Sequence, residues 1–393
     1  MAAALDDIKV VDLTRTLAGP FCTMLLGDMG ADVVKIEPVA GDNTRRLVGS
    51  GAGYFPMYAR GKRSVALDMK SPVGKEAARR LVREADVVIE NFRPGAMDKL
   101  GFGYDDLKGD NPRLIYCSEK GFLEGPYGHR TALDEVAQMM GGLAYMTGPP
   151  GQPLRAGASV IDVTGGMFGA IAVLAALEQR HRTGKGQLVK SALFESTAFL
   201  VGQHMAQHAV TGEPAAPMPA RVSAWAIYDI FETADNDSIF VGVVSDSQWA
   251  LFCAAFGLDD LGSDPALAKN AGRVAARETL LPRIRTLFKG FSKADLMAKL
   301  EHTGLPFAPI AEPSDLFDDP HLNQSGGLLE VTLPDGSKTR LPALPIEMDG
   351  RRPGARQDLP GIGEHTDQVL REAGYSHDEI GRMAADGVIL LGV

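Results

Sequence analysis

The stretch RAGASVIDVTGGMFGAIAVLAALEQR, Arg155 to Arg180, places Asp162 directly before a long apolar run that opens with glycines. Two chemistries fit such a residue. An aspartate just before a helical run is a favoured N-cap, its carboxylate accepting hydrogen bonds from backbone N–H groups that lack helical partners. A carboxylate is also a nucleophile toward an activated carbonyl. Gly165, Gly166 and Gly169 follow within the first turns. Each costs the helix about 1 kcal/mol relative to alanine, so something must approach the backbone closely there.

Other catalytic patterns are incomplete. The segment GASVI around Ser159 does not form the G-x-S-x-G elbow of a serine hydrolase. His204 and His208 in HMAQH share a helical face, but Met205 stands where a zincin carries glutamate, so they read as a surface or core pair. Cys22, Cys117 and Cys253 are far apart and form no CxxC pair, which indicates neither a disulfide framework nor a metal site and suits a reducing cytosol. LAGPFCTMLLG lacks the GxGxxG of a dinucleotide fold, and no GxxxxGK[ST] occurs. Carboxylates remain, chiefly Asp162 and Asp134, together with Lys35, Lys70, Arg93 and Lys99 at or near strand ends, where α/β folds place ligands and where cations hold phosphates.

These residues need a frame. Short β-branched runs (IKVVDLT, DVVKIE, SVALDM, DVVIENF, RLIYCSEKGF) alternate with helical segments through the first half, which predicts an α/β domain with a largely parallel sheet. TGEPAAPMPA reads as a linker, and AIYDIFETADNDSIFVGVV as a hairpin opening a smaller α+β domain. LLEVTLPDGSKTRLPALP reads as another hairpin, followed by a helical region, EHTDQVLREAGYSHDEIGRM, that returns to the first domain. The expected bounds are 1–210 for the large domain, 211–224 for the linker, 225–325 for the small domain and 326–393 for the returning segment. With 393 residues, 45% of them hydrophobic and a net charge of −10, the chain suits two cores. Its charge argues against nucleic acid or an anionic membrane as partner. The Val163–Leu177 run is too short and glycine-rich to span a bilayer comfortably, so a cytoplasmic protein is expected.

Several motifs together carry a resemblance: VVDLTRTLAGPFCTMLLGDMGADVVKIEP, KRSVALDMKSPVGK, NFRPGAMDKLGFGYDDL, LDEVAQMMGGLAYMTG, GASVIDVTGGMFGAIAVLAAL, RTGKGQ and GEHTDQVL. In this order, across nearly the whole chain, they resemble the family III CoA-transferases, a group that also contains α-methylacyl-CoA racemases. The resemblance implies a Rossmann-like large domain, an interlocked ring-like homodimer, no tightly bound cofactor, and acyl-CoA and a carboxylic acid as substrates. It makes Asp162 the nucleophile, forming an aspartyl anhydride and then an aspartyl-CoA thioester. By position it assigns contacts with CoA to Arg15, Leu17, Ala18, Leu67, Asp68, Met69, Lys70, Asn91, Phe92, Arg93, Lys99 and the segment from Thr131 to Asp134.

Pro38 stands where relatives often carry a basic residue, which leaves Arg45 or Arg46 as substitutes. The racemase histidine is replaced by Leu133, with His129 four residues earlier, so a racemase or a non-catalytic acyl-CoA binder ranks behind a transferase. The segment around AIYDIFETADNDSIFVGV resembles the branch that handles succinyl-CoA and dicarboxylates. A second carboxylate calls for a cation, with Arg15, Arg155 and Arg221 as candidates.

Overall fold

The computed structural model describes residues 3–221, 223–354 and 357–392. The chain forms two compact units, Met1–Pro219 with Pro320–Val393, and Ala220–Asp319. Residue 222 of the expected linker, and residues 355 and 356 of the returning segment, lie outside the described residues.

The first unit is built on strands β1 (Lys9–Asp12), β2 (Asp32–Glu37), β3 (Lys62–Leu67), β4 (Val87–Glu90), β5 (Ile115–Lys120) and β6 (Gln187–Ala192). All are parallel to their neighbours among these six. Runs such as DVVKIE and VVIE bury both faces, as strands covered by helices on each side must. In the second unit β7 (Ile227–Glu232), β8 (Ser238–Val243) and β9 (Phe307–Pro309) form an antiparallel sheet, with β7 and β8 the hairpin expected around Asp235–Asp237. Its core packs Trp249, Phe252, Ile284 and Phe288 against Ile239 and Val241. The first unit resumes with the hairpin β10 (Leu328–Thr332) and β11 (Lys338–Pro342), then β12 (Ile389–Leu390).

The large sheet has the order β12-β3-β2-β1-β4-β5-β6, with β12 antiparallel at the β3 edge. The chain leaves β1 toward one side of the sheet and β4 lies on the other side of it. That reversal opens a crevice beyond the carboxyl ends of β1 and β4, the usual ligand position in such sheets. One face is covered by the helices Ala18–Asp28 and Val160–Thr183, whose Cys22, Leu26, Ala170 and Val173 pack on Val10, Val33, Ile89 and Cys117. The other face includes Val369, Ile380 and Met383 from the C-terminal helices Thr366–Glu372 and His377–Ala385.

The three glycines behind Asp162 serve this packing. A Cβ on Gly166 would stand 2.5 Å from the Ala18 carbonyl oxygen, and one on Gly169 2.3 Å from Glu119 Oε1. The close approach is by the protein's own backbone and core. The Val160–Thr183 helix, 24 residues against the 15 of the Val163–Leu177 run, is among the described residues the one helix long and apolar enough by length and composition to cross a membrane, and its Ala170 and Val173 pack in the core.

Candidate active site

Asp162 is the third residue of its helix, not the cap. The N-cap position falls on Ser159, whose side chain makes no capping bond. A carboxylate from a different helix does that work. Asp134, the first residue of Asp134–Met140, accepts the Ile161 N–H at 2.8 Å and the Asp162 N–H at 3.1 Å through Oδ2. Its Oδ1 accepts from Gln138 Nε2 and lies 3.5 Å from Arg155 Nη2. The Asp162 carboxylate is thereby left free of a structural role and half-buried.

Asp162 faces a cavity of about 410 Å³. The wall is made by residues beyond β1 (Thr16, Leu17, Ala18), beyond β4 (Asn91, Phe92, Arg93) and at the end of β5 (Glu119, Lys120), with Arg130 to Glu135 and Ser159 closing it. This is the switch-point crevice. Thr16 has φ of 71°, left-handed for a β-branched residue, as the chain turns into the Ala18–Asp28 helix. That helix also begins without a side-chain cap, so its first N–H groups open beside Leu17 and Ala18.

Burial pushes the Asp162 carboxyl up to about 7, and the negative charges of Asp134 and Glu135 add to it while Arg155 opposes. A helix N-terminus favours the ionised form, but here desolvation and two acidic neighbours outweigh it. Glu119 is more extreme. It is 5% exposed, and neither carboxyl oxygen has a hydrogen-bond partner among the described residues. Burial, with Asp162, Asp12 and Glu90, raises it to about 8. Cys22 Sγ, Cys117 Sγ and a Glu119 oxygen lie within 4.8 Å of one another, so two cysteines that look unrelated in sequence meet in the core. The Cys117 thiol, burial and Glu119 together push the Cys22 thiol well above its ordinary range.

Of the residues expected to contact CoA, Leu17, Ala18, Asn91, Phe92, Arg93 and the whole segment from Thr131 to Asp134 line this cavity with Asp162. Arg15 is adjacent, its guanidinium 5.2 Å above the Phe92 ring and its N–H bonded to Asn91 Oδ1. Leu67, Asp68, Met69, Lys70 and Lys99 are not among the lining residues. Leu67 is buried in β3 opposite Ile389, and Met69 packs against the core. Asp68 Oδ1 accepts the Lys70 N–H in a turn, and Lys99 is exposed on its own short helix.

Two basic candidates, Lys35 and Arg45, are structural, and Arg46 is exposed. Lys35 is buried and pairs with Asp42 at 2.9 Å. Arg45 pairs with Glu37 at 2.6 Å and stacks 3.9 Å over Phe55, so it is not available to replace a contact missing at Pro38. Arg46 Nη1 donates to the Ala40 carbonyl at 2.8 Å. Lys120, Arg130 and Glu119 were not singled out by sequence; KGF directly after a β-run was the available signal for Lys120. His129 lines a neighbouring cavity of about 780 Å³, while Leu133 lines that of Asp162.

A switch-point crevice with a half-buried carboxylate facing it is the ligand site of an open α/β fold, and sequence comparison makes the assignment sharper. The chain belongs to CoA-transferase family III, whose family model matches residues 5–366. It is 37% identical over 386 residues to a succinyl-CoA:mesaconate CoA-transferase of Haloarcula hispanica, covering 94% of this chain and 96% of the relative. It is 36% identical over 382 residues to a succinate–glutarate CoA-transferase of Agrobacterium fabrum, covering 94% and 95%. Among solved structures, a CAIB/BAIF family protein from Brucella suis superposes with a TM-score of 0.82 at 34% identity, covering 95% of this chain and all of that one.

Proposed function

We propose that this CoA-transferase moves CoA from succinyl-CoA or a similar short dicarboxyl donor to a small dicarboxylate, with Asp162 as nucleophile. The observation that carries the reading is Asp162 itself. It is held at the mouth of a helix by a second carboxylate that takes over capping, and it faces a cavity lined by nine of the residues expected to meet CoA.

An Asp162 oxygen attacks the thioester carbonyl of the donor, the C–S bond breaks, and CoA leaves as thiolate from a mixed aspartyl anhydride. The thiolate attacks the aspartyl carbonyl, releasing the donor acid and leaving aspartyl-CoA. The acceptor carboxylate attacks this thioester, expels CoA thiolate and forms a second anhydride. Attack of the thiolate on the acceptor's carbonyl gives the new acyl-CoA and restores the Asp162 carboxylate. No proton or ATP is consumed. The uncapped first N–H groups of the Ala18–Asp28 helix, which opens onto the same cavity, are the donors this reading assigns to the oxyanions.

The dicarboxylate assignment follows the named substrates of the relatives from Haloarcula hispanica and Agrobacterium fabrum. A racemase would need a second acid/base group across the α-carbon. Leu133 occupies the position expected for it, and His129 faces the other cavity.

A homodimer accounts for the apolar surface of the first unit. Met167 and Ile171 on the Val160–Thr183 helix, and Phe199, Met205 and Val210 on the two helices that follow β6, are exposed. A CoA-exchange assay with succinyl-CoA and glutarate tests the reading: Asp162→Ala is expected to abolish exchange, and wild-type turnover by this variant overturns it.

A further inference from the structure

Three side-chain cations line the Asp162 cavity: Arg93, Lys120 and Arg130. A dicarboxylate brings a carboxylate that does not react, and it must sit near Asp162, Asp134 and Glu135. That surplus of negative charge requires a cation that is not already neutralised.

Lys120 is committed. Its ammonium donates to both Glu90 oxygens, at 2.7 and 2.9 Å, and to the Phe92 carbonyl at 2.7 Å. Arg93 lines the neighbouring 780 Å³ cavity as well, along with Lys120. Arg130 lines the Asp162 cavity and not the other. It makes no ion pair among the described residues.

Its position is prepared rather than loose. The guanidinium lies 4.4 Å over the Tyr127 ring, and Tyr127 packs edge-on against Phe122 and Phe194. The segment between is tied down where the Phe194 N–H donates to the Gly121 carbonyl at 3.0 Å and the Glu195 carboxylate accepts the Leu123 N–H at 3.2 Å. A stacked, planar guanidinium with its edge free offers two parallel donors to a carboxylate and loses little entropy in doing so.

The cations expected from sequence are placed otherwise. Arg155 pairs with Glu135 at 2.5 Å and is not part of the cavity wall. Arg15 stacks on Phe92 outside it. Arg221 belongs to the second unit and lines a different cavity with Arg277 and Arg285.

We infer that Arg130 receives the non-reacting carboxylate of the substrate and sets the preference for dicarboxylic over monocarboxylic acids. The inference rests on the dicarboxylate reading above, and the test separates the two. Wild type, Arg130→Gln and Arg130→Lys are assayed with succinyl-CoA as donor and either glutarate or butyrate as acceptor, and binding of free CoA is measured by calorimetry. Wild type is expected to prefer glutarate. Arg130→Gln should lose about 30-fold or more in kcat/KM for glutarate, keep butyrate within about 3-fold, and bind CoA unchanged, with Arg130→Lys in between. An equal loss for both acceptors with weakened CoA binding makes Arg130 a phosphate contact and overturns the inference, as does unchanged selectivity. A wild type that uses both acids equally overturns the dicarboxylate reading itself.

Discussion

At the scale of residues, the main lesson concerns two carboxylates. Asp162 titrates at about 7, so the fraction able to attack a thioester rises through neutral pH, and kcat/KM should show an acid limb near 7. Because Glu135 pushes this value up and Arg155 holds it down, Glu135→Gln should move the limb to lower pH and Arg155→Gln to higher pH; pH–rate profiles of the two variants check the opposite signs. Glu119, like Asp162, also affects stability. The unfolded chain loses this proton near 4.5 while the folded protein keeps it to about 8, so the folded state binds more protons in between and stability falls as pH rises through that window. The slope is about 1.4 kcal/mol per pH unit for a full proton. Urea unfolding of wild type and Glu119→Gln from pH 5 to 9 should show this decline in wild type and a flatter curve in the variant. Asp162 was legible because IDVTGG carries family information. Glu119 was not, since a charged residue at a strand end reads as solvated until Gly169 and two distant cysteines are seen around it.

Among the elements, the parallel strands were legible because β-branched runs buried on both faces leave an unmistakable pattern, as in DVVKIE. β6 and β12 were not read. β6 alternates exposed and half-buried residues over its first four positions, and β12 has two residues whose pairing depends on a strand 322 positions earlier, Leu67 with Ile389. The cap of the Val160–Thr183 helix was misread for the same reason, since its acceptor comes from Asp134, 28 residues away. Asp134→Ala should therefore destabilise the protein by about 1–2 kcal/mol in urea unfolding and lower kcat by loosening Asp162. Gly166→Ala gains up to about 1 kcal/mol of helix propensity but drives a Cβ to 2.5 Å from a backbone oxygen that cannot move alone. Overpacking of this kind costs about 1–3 kcal/mol, so net destabilisation is expected in thermal melts.

On the scale of the whole molecule, family, fold class and chemistry were readable from motifs in order, whereas the distribution of charge in the site was not. Sequence order says nothing about which arginines are already paired: Arg45 and Arg155 are, and Arg130 is not. Exposed Phe199 and Val210, at 74% and 86%, are apolar surface that the proposed homodimer would cover. Light scattering is expected to give a dimer, and an active monomer would contradict that assembly.

The central claim is that Asp162 enters and leaves covalent bonding in each turnover. When the acceptor carboxylate carries ¹⁸O, its attacking oxygen bridges the second anhydride and stays with the aspartate when the thiolate takes the acyl group. Mass spectrometry of peptides after turnover with succinyl-CoA and ¹⁸O-labelled glutarate should therefore find the heavy isotope in the Asp162 carboxylate. Label absent from Asp162 during active exchange, or found on another carboxylate, would contradict the account.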